Sequence, residues 1–228
     1  MSNQSKLPIH AAGILDRAEA ELLIACGFDC LGFPLVLDHH SEDLSAEEAA
    51  AIVHALSDRA QFFLITYLSR ADEIAALCRH LGVSMVQLHG PVPPEELKCL
   101  RREDPELHVI RSLVVRADNT DTLEEQVARE APLADAFITD TFDPETGASG
   151  ATGKTHDWEI SRKLVELSPK PVILAGGLNP ANVAQAIAAV RPAGVDVHTG
   201  IEGPDGRKDP NLAADFVTAA RAAFAALP

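Results

Sequence analysis

Two glycine-bearing corners late in the chain, Gly176-Gly177 and Thr199-Gly200, have the composition of an anion site. Each closes a short apolar run, Pro171–Ala175 and Gly194–Val197. Glycine lets a ligand approach the main chain closely, and a helix start presents unpaired N–H groups at the positive end of its dipole. After the first corner, Asn179 suits a helix N-cap and Pro180 suits the first helical position, where its missing N–H costs nothing. Two such corners on consecutive strands predict a phosphate cradle made of main-chain amides. In an eight-stranded parallel barrel that cradle lies after strands 7 and 8. The plainer alternative is a pair of ordinary strand-to-helix turns. The spacing of one strand–helix unit favours the cradle.

The elements that must carry these corners are legible along the whole chain. Strands are expected at Ile9–Ala12, Cys30–Leu35, Gln61–Tyr67, Ser84–Leu88, Leu107–Val115 and Ala134–Thr139, ahead of the two already named. Helices are expected at Asp16–Cys26, up to Leu56, at Arg70–Leu81, Pro94–Arg101, Thr120–Glu130 and Trp158–Leu167, after Pro180, and from Asp209 to about Ala226. Ser45 with Glu48 reads as a capping box. Strand alternating with helix implies a parallel sheet, and eight repeats closing on themselves predict one (β/α)8 barrel over residues 1–228. Active sites of such barrels lie at the C-terminal ends of the strands.

Composition narrows the partners. The net charge is −15, from 34 acidic and 19 basic residues, which disfavours nucleic acid and anionic membranes. Local N–H groups can still hold a phosphorylated small molecule. No apolar run is long enough to span a membrane, and the N-terminus has no secretory pattern, so a cytoplasmic protein, monomer or homodimer, is expected. Cys26, Cys30, Cys78 and Cys99 are too scattered for a zinc site and read as reduced thiols.

Further motifs occur in a telling order: Val86–Gly90 (VQLHG), Asp140-Thr141, Gly150–Trp158 (GATGKTHDW), Leu174–Val183 (LAGGLNPANV), Gly194–Glu202 (GVDVHTGIE) and Gly206–Asp209 (GRKD). In this order and spacing the chain resembles the phosphoribosylanthranilate isomerases, most strongly after Val83. The resemblance implies a (β/α)8 barrel and a ribose 5-phosphate derivative of an aromatic amine as ligand. It implies an Amadori rearrangement in tryptophan biosynthesis, with no metal and no organic cofactor. An acid protonates the ribose ring oxygen, the ring opens to a Schiff base, and a base removes the C2 proton. By resemblance Asp140 is the acid. The family base is a cysteine in Lys-x-Cys-Gly on strand 1. That segment here reads His10-Ala11-Ala12-Gly13, so Ala12 stands in the place of the thiol and His10 in that of the lysine. The basic loop after strand 2, whose arginine helps bind the anthranilate carboxylate in the family, is here the acidic stretch Asp38–Asp43 (DHHSED).

Phosphate binding is thus kept while the base and the carboxylate contact are replaced. The replacements point to an isomerase-like enzyme on a phosphorylated sugar derivative, with changed substrate or chemistry. The original isomerisation with a substitute base is another reading. Strand alternation supplies base candidates, since residues two apart face the same way. His10 shares the facing of Ala12, one layer below. Asp196 and His198 face together on strand 8, beside strand 1, so His198 is expected at the rim near Ala12. Gln87 and His89 face together on strand 4 and, with Asp196, are expected to line the ligand site. His156 stands where the family often has phenylalanine. An imidazole near Ala12 suits a general base. Two alternatives stay open. His10, His89, His198, Asp140 and Asp196 could converge on a divalent metal, as in a sugar-phosphate epimerase or lyase. The barrel could also bind a phospholigand without turning it over.

Overall fold

The structure, a computed structural model, describes residues 8–37, 44–142, 153 and 155–227. Eight parallel strands run around a closed barrel in chain order, with the last pairing back to the first. They are β1 Ile9–Ala12, β2 Cys30–Pro34, β3 Gln61–Thr66, β4 Met85–Leu88, β5 His108–Val115, β6 Ala136–Thr141, β7 Val172–Leu174 and β8 Gly194–Val197. The helices between and after them are α1 Arg17–Cys26, α2 Ala46–Leu56, α3 Ala71–Leu81, α4 Pro94–Glu103, α5 Thr120–Glu130, α6 Trp158–Leu167, α7 Val183–Val190 and α8 Pro210–Ala225. A single 3-10 turn, Thr199–Ile201, follows β8. This is the (β/α)8 barrel that the alternation predicts.

Period-two patterning separates two cores. Ile9 and Ala11 of β1 pack into the large apolar layer beneath the helices, whereas Ala12 joins Cys30, Phe63 and Ile65 inside the barrel. Ile110, Ala136, Ile138, Ile173 and Ala175 form the second interior group, and Met85 touches both. Full burial of a phenylalanine is worth about 1.5–3 kcal/mol, and Phe33, Phe137 and Phe216 are buried to 1% exposure or less. Local signals set the starts of α2 and α8. Ser45 and Glu48 close their capping box, and Asp209 accepts the amides of Asn211 and Leu212 with Pro210 in the first turn. Cys30 and Cys78 are buried, and all four cysteines are free. Among the described residues no helix is long and apolar enough to cross a membrane.

Most boundaries fall within two residues of expectation, and the differences at the sixth strand and the seventh helix bear on the site. The sixth strand begins at Ala136 rather than Ala134, because the amides of Leu133 and Ala134 still bond to Glu130 O and prolong the turn of α5. At its other end the strand runs past Thr139 to Thr141, where Asp140 and Thr141 pair with Val114 and Val115 of β5, so it includes Asp140. The seventh helix begins at Val183, not after Asn179. The Asn179 side chain accepts the Ala181 amide while Asn182 Oδ1 turns back to the Asn179 amide, so a side-chain-bonded turn precedes the regular helix. The acidic stretch 38–43, Glu42 included, lies outside the described residues, as do 143–152 and 154 of the glycine-rich loop.

Candidate active site

Asp140 shares its strand face with Ala136 and Ile138 and so points toward the barrel axis. Its Oδ1 accepts the Thr141 amide at 2.7 Å, and its Oδ2 lies 3.8 Å from His89 Nδ1. Burial raises its pKa above the ordinary carboxyl value, opposed by His89 and by the Thr141 amide. A carboxyl so placed keeps its proton closer to neutrality than an exposed one does. Burial, and then the charge of Asp140, push Asp196 up to about 7, against the pull of Lys208. Among the described residues, Asp196 Oδ1 and Gln87 Oε1 have no hydrogen-bond partner. Leaving such an atom buried and unpaired costs about 1–3 kcal/mol.

His89 is held from several sides. Gln87 Nε2 donates to Ser112 Oγ at 3.1 Å, and Ser112 Oγ lies 3.2 Å from His89 Nδ1. The Tyr67 ring packs on the imidazole at 4.9 Å between centroids. Beneath it, Arg111 donates to Leu88 O and Gly90 O, on either side of His89, and pairs with Glu130 at 2.9 Å.

The two glycine corners sit against one another. Gly176 and Gly177 both have positive φ, 101° and 61°. The Thr199-Gly200 corner approaches the first so closely that a Cβ on Gly200 would collide with Leu178 O. Gly153, from the loop after β6, brings a third segment beside Thr199. Both carboxamides of Asn179 and Asn182 point back to Gly177 O.

His198 lies where strand order predicts. Its ring covers Gly13, immediately after Ala12, with Nε2 in the space that a Gly13 side chain would need. Glu202 Oε1 is 3.5 Å from that Nε2. The Lys208 side chain is 1% exposed, and its Nζ bonds Glu202 Oε1 at 2.7 Å and His198 O at 3.1 Å. Glu202 thus stands beside the imidazole and is itself held by the Lys208 ammonium.

The family model described as N-(5'phosphoribosyl)anthranilate (PRA) isomerase matches residues 19–219. The chain belongs to the phosphoribosylanthranilate isomerase family. A relative from Methanosarcina mazei, N-(5'-phosphoribosyl)anthranilate isomerase 2, is 36% identical over 217 residues, 95% of each chain. The solved isomerase of Thermotoga maritima superposes with a TM-score of 0.80 at 26% identity, over 95% of this chain and 99% of that one. That of Pyrococcus furiosus gives 0.76 at 26% identity over the same shares. These matches favour an isomerase of this family over a metal-dependent epimerase or lyase and over a mere binder.

His10 faces inward one layer below Ala12, but it opens to the other end of the barrel. There it lines a cavity of about 640 Å3 together with Cys30, Met85, Ile110 and Ile173. Burial lowers its pKa to about 4, and its ring rests 5.2 Å from that of Phe63. Two strand residues put it about 7 Å beneath the rim, which leaves His198 as the imidazole beside Ala12. His89 and Asp140 approach to 3.8 Å, but no group of three metal-ligating side chains occurs among the described residues. Arg111, Glu202, Lys208 and Glu19 support the site without being among its expected residues. Glu19 accepts the Leu15 and Lys208 amides at 2.9 and 2.8 Å, tying the loop after β1 to the loop after β8. The signals for them are the arginine inside the apolar run HVIRSLVV and the motifs GVDVHTGIE and GRKD, which hold Glu202 and Lys208.

Proposed function

We propose that this chain isomerises N-(5'-phosphoribosyl)anthranilate or a close phosphoribosyl analogue, with Asp140 as the acid and His198 in the role of the absent thiol. The observation that carries the reading is the His198 ring lying over Gly13, beside Ala12 and within reach of Glu202. Asp140 gives its proton to the ribose ring oxygen. The C1–O bond breaks, and the nitrogen lone pair forms the C1=N bond of the Schiff base. His198 then takes the C2 proton, and the released electron pair forms C1=C2 as the iminium nitrogen becomes neutral. The enolamine tautomerises to the ketose. Only protons move between protein and substrate, so the two side chains suffice and the reaction needs no cofactor.

Main-chain amides of Gly176, Gly177, Thr199 and Gly200 hold the phosphate, and Gln87, His89 and Asp196 contact the sugar. In support, the two corners touch and the inward polar atoms of Gln87 and Asp196 are unpaired among the described residues. The test is growth of a tryptophan-requiring strain that lacks the isomerase. The natural chain restores growth, while Asp140→Asn and His198→Ala do not. No growth with the natural chain refutes the activity, and full growth with His198→Ala removes that residue from the mechanism.

A further inference from the structure

A hydrogen-bond chain at the junction of β6 and α6 is left unused by this chemistry. His156 Nδ1 lies 2.8 Å from Thr141 Oγ1, and His156 Nε2 lies 2.5 Å from Ser161 Oγ. Ser161 is completely buried on α6, and Thr141 ends β6. Thr141 in turn donates its amide to Asp140 Oδ1 at 2.7 Å. The same two side chains wall the first glycine corner. A Cβ on Gly176 would collide with Thr141 Oγ1 and stand 3.1 Å from His156 Nδ1. Burial lowers the His156 pKa to about 4, so the ring is neutral at neutral pH. A neutral imidazole donates from one nitrogen and accepts at the other. Held at both ends, this ring cannot turn without breaking both bonds.

We propose that His156 is a positioning residue that locks Asp140 and the Gly176-Gly177 corner to each other through Thr141. The assignment rests on the proposed function for the roles of those two groups. One substrate must be gripped by its phosphate at the corner while its ring oxygen meets Asp140. The separation between grip and acid therefore has to be fixed, and an error of roughly 1 Å can cost about a hundredfold in rate. A hydrocarbon ring would fill the same space without linking strand, corner and helix. An imidazole is tolerated there only because both nitrogens are satisfied.

The test compares His156→Phe and His156→Gln in the full chain. Phenylalanine keeps a ring but removes both bonds. Glutamine carries a donor and an acceptor on one carbon, as the imidazole does. Two quantities are read: the dissociation constant for inorganic phosphate by calorimetry, and kcat with KM for the isomerisation. Phenylalanine is expected to weaken phosphate binding about fivefold, the equivalent of one lost hydrogen bond. It should lower kcat by about tenfold or more, since the acid is misplaced. Glutamine should restore most of both. Phenylalanine within twofold of the natural chain in both quantities, with only the melting temperature lowered, overturns the assignment. So does a glutamine variant as impaired as the phenylalanine one. If the natural chain binds phosphate but isomerises nothing, the proposed function fails while the binding arm still decides. Loss with phenylalanine and recovery with glutamine then upholds His156.

Discussion

Gly200→Ala puts the central geometric claim under direct stress. A methyl carbon built on Gly200 falls 1.8 Å from Leu178 O, whereas real contacts of this kind essentially never come below 3.0 Å. The obstacle is main chain, not the flexible end of a side chain. The two corners must therefore separate by at least 1.2 Å, the difference between those distances. Hydrogen bonds to a shared dianion span about 2.7–3.2 Å, so such an opening takes those from one corner out to roughly 4 Å and effectively ends them. With each charge-assisted bond worth about 1.5–3 kcal/mol, the loss of two amounts to about 3–6 kcal/mol, or roughly 10²–10⁴ in affinity. Overpacking adds about 1–3 kcal/mol of lost stability, a separate effect that urea unfolding measures. Calorimetry with inorganic phosphate and with ribose 5-phosphate reads the affinity. The control is Gly206→Ala in the next loop, where φ is 78° but nothing lies within 4 Å of an added Cβ. That change strains the backbone and should leave phosphate binding alone. If Gly200→Ala binds phosphate within about twofold of the natural chain, the two corners do not share one anion and the cradle is wrong.

His198→Ala should lower kcat by about 10²–10⁴ with little change in KM, as loss of a general base does, and adding Ala12→Cys should recover part of the rate; a double variant no faster than His198→Ala would show that the two positions do not address the same proton. Arg111→Met leaves Glu130 buried without its main partner and should cost about 3 kcal/mol of stability, read by urea unfolding, and a loss under 1 kcal/mol would refute the support assigned to the loop around His89. The folded pKa of Asp196, about 7, exceeds its ordinary value of 3.8. Its contribution to stability is therefore full below about pH 4 and fades as pH rises through 7, about 4 kcal/mol across that window. Asp196→Asn cannot lose a proton, so its stability should fall less than that of the natural chain between pH 4 and 7, and parallel curves would contradict the buried carboxyl.

The alternation of strand and helix follows from periodicity, which is a property of neighbouring residues, and it was legible throughout. So were the capping box at Ser45 and the cap at Asp209, since each bonds within a few residues. The facing of Ala12, Asp196 and His198 also follows from a period of two once the barrel is assumed. Boundaries that depend on competition were not legible. The amides of Leu133 and Ala134 had a helical and a strand use open to them, and only their bonds to Glu130 O decided it. Nor could local pattern show that Lys208 reaches back to Glu202 and His198, or that Glu19 joins the loop after β1 to the one after β8. The Glu19–Lys208 pairing joins residues 189 apart and is chosen by barrel closure, while Lys208, Glu202 and His198 meet through the folding of the loop after β8.

What the sequence determined alone is the repeating order of elements, the glycines at two strand ends and the side chains turned inward. What the tertiary structure decided is distance: which corner touches which, that His198 lies over Gly13, and that His10, with the same facing, opens to the opposite end. Periodicity sets the direction of a side chain, but its depth along the barrel axis depends on the register of the strands on either side.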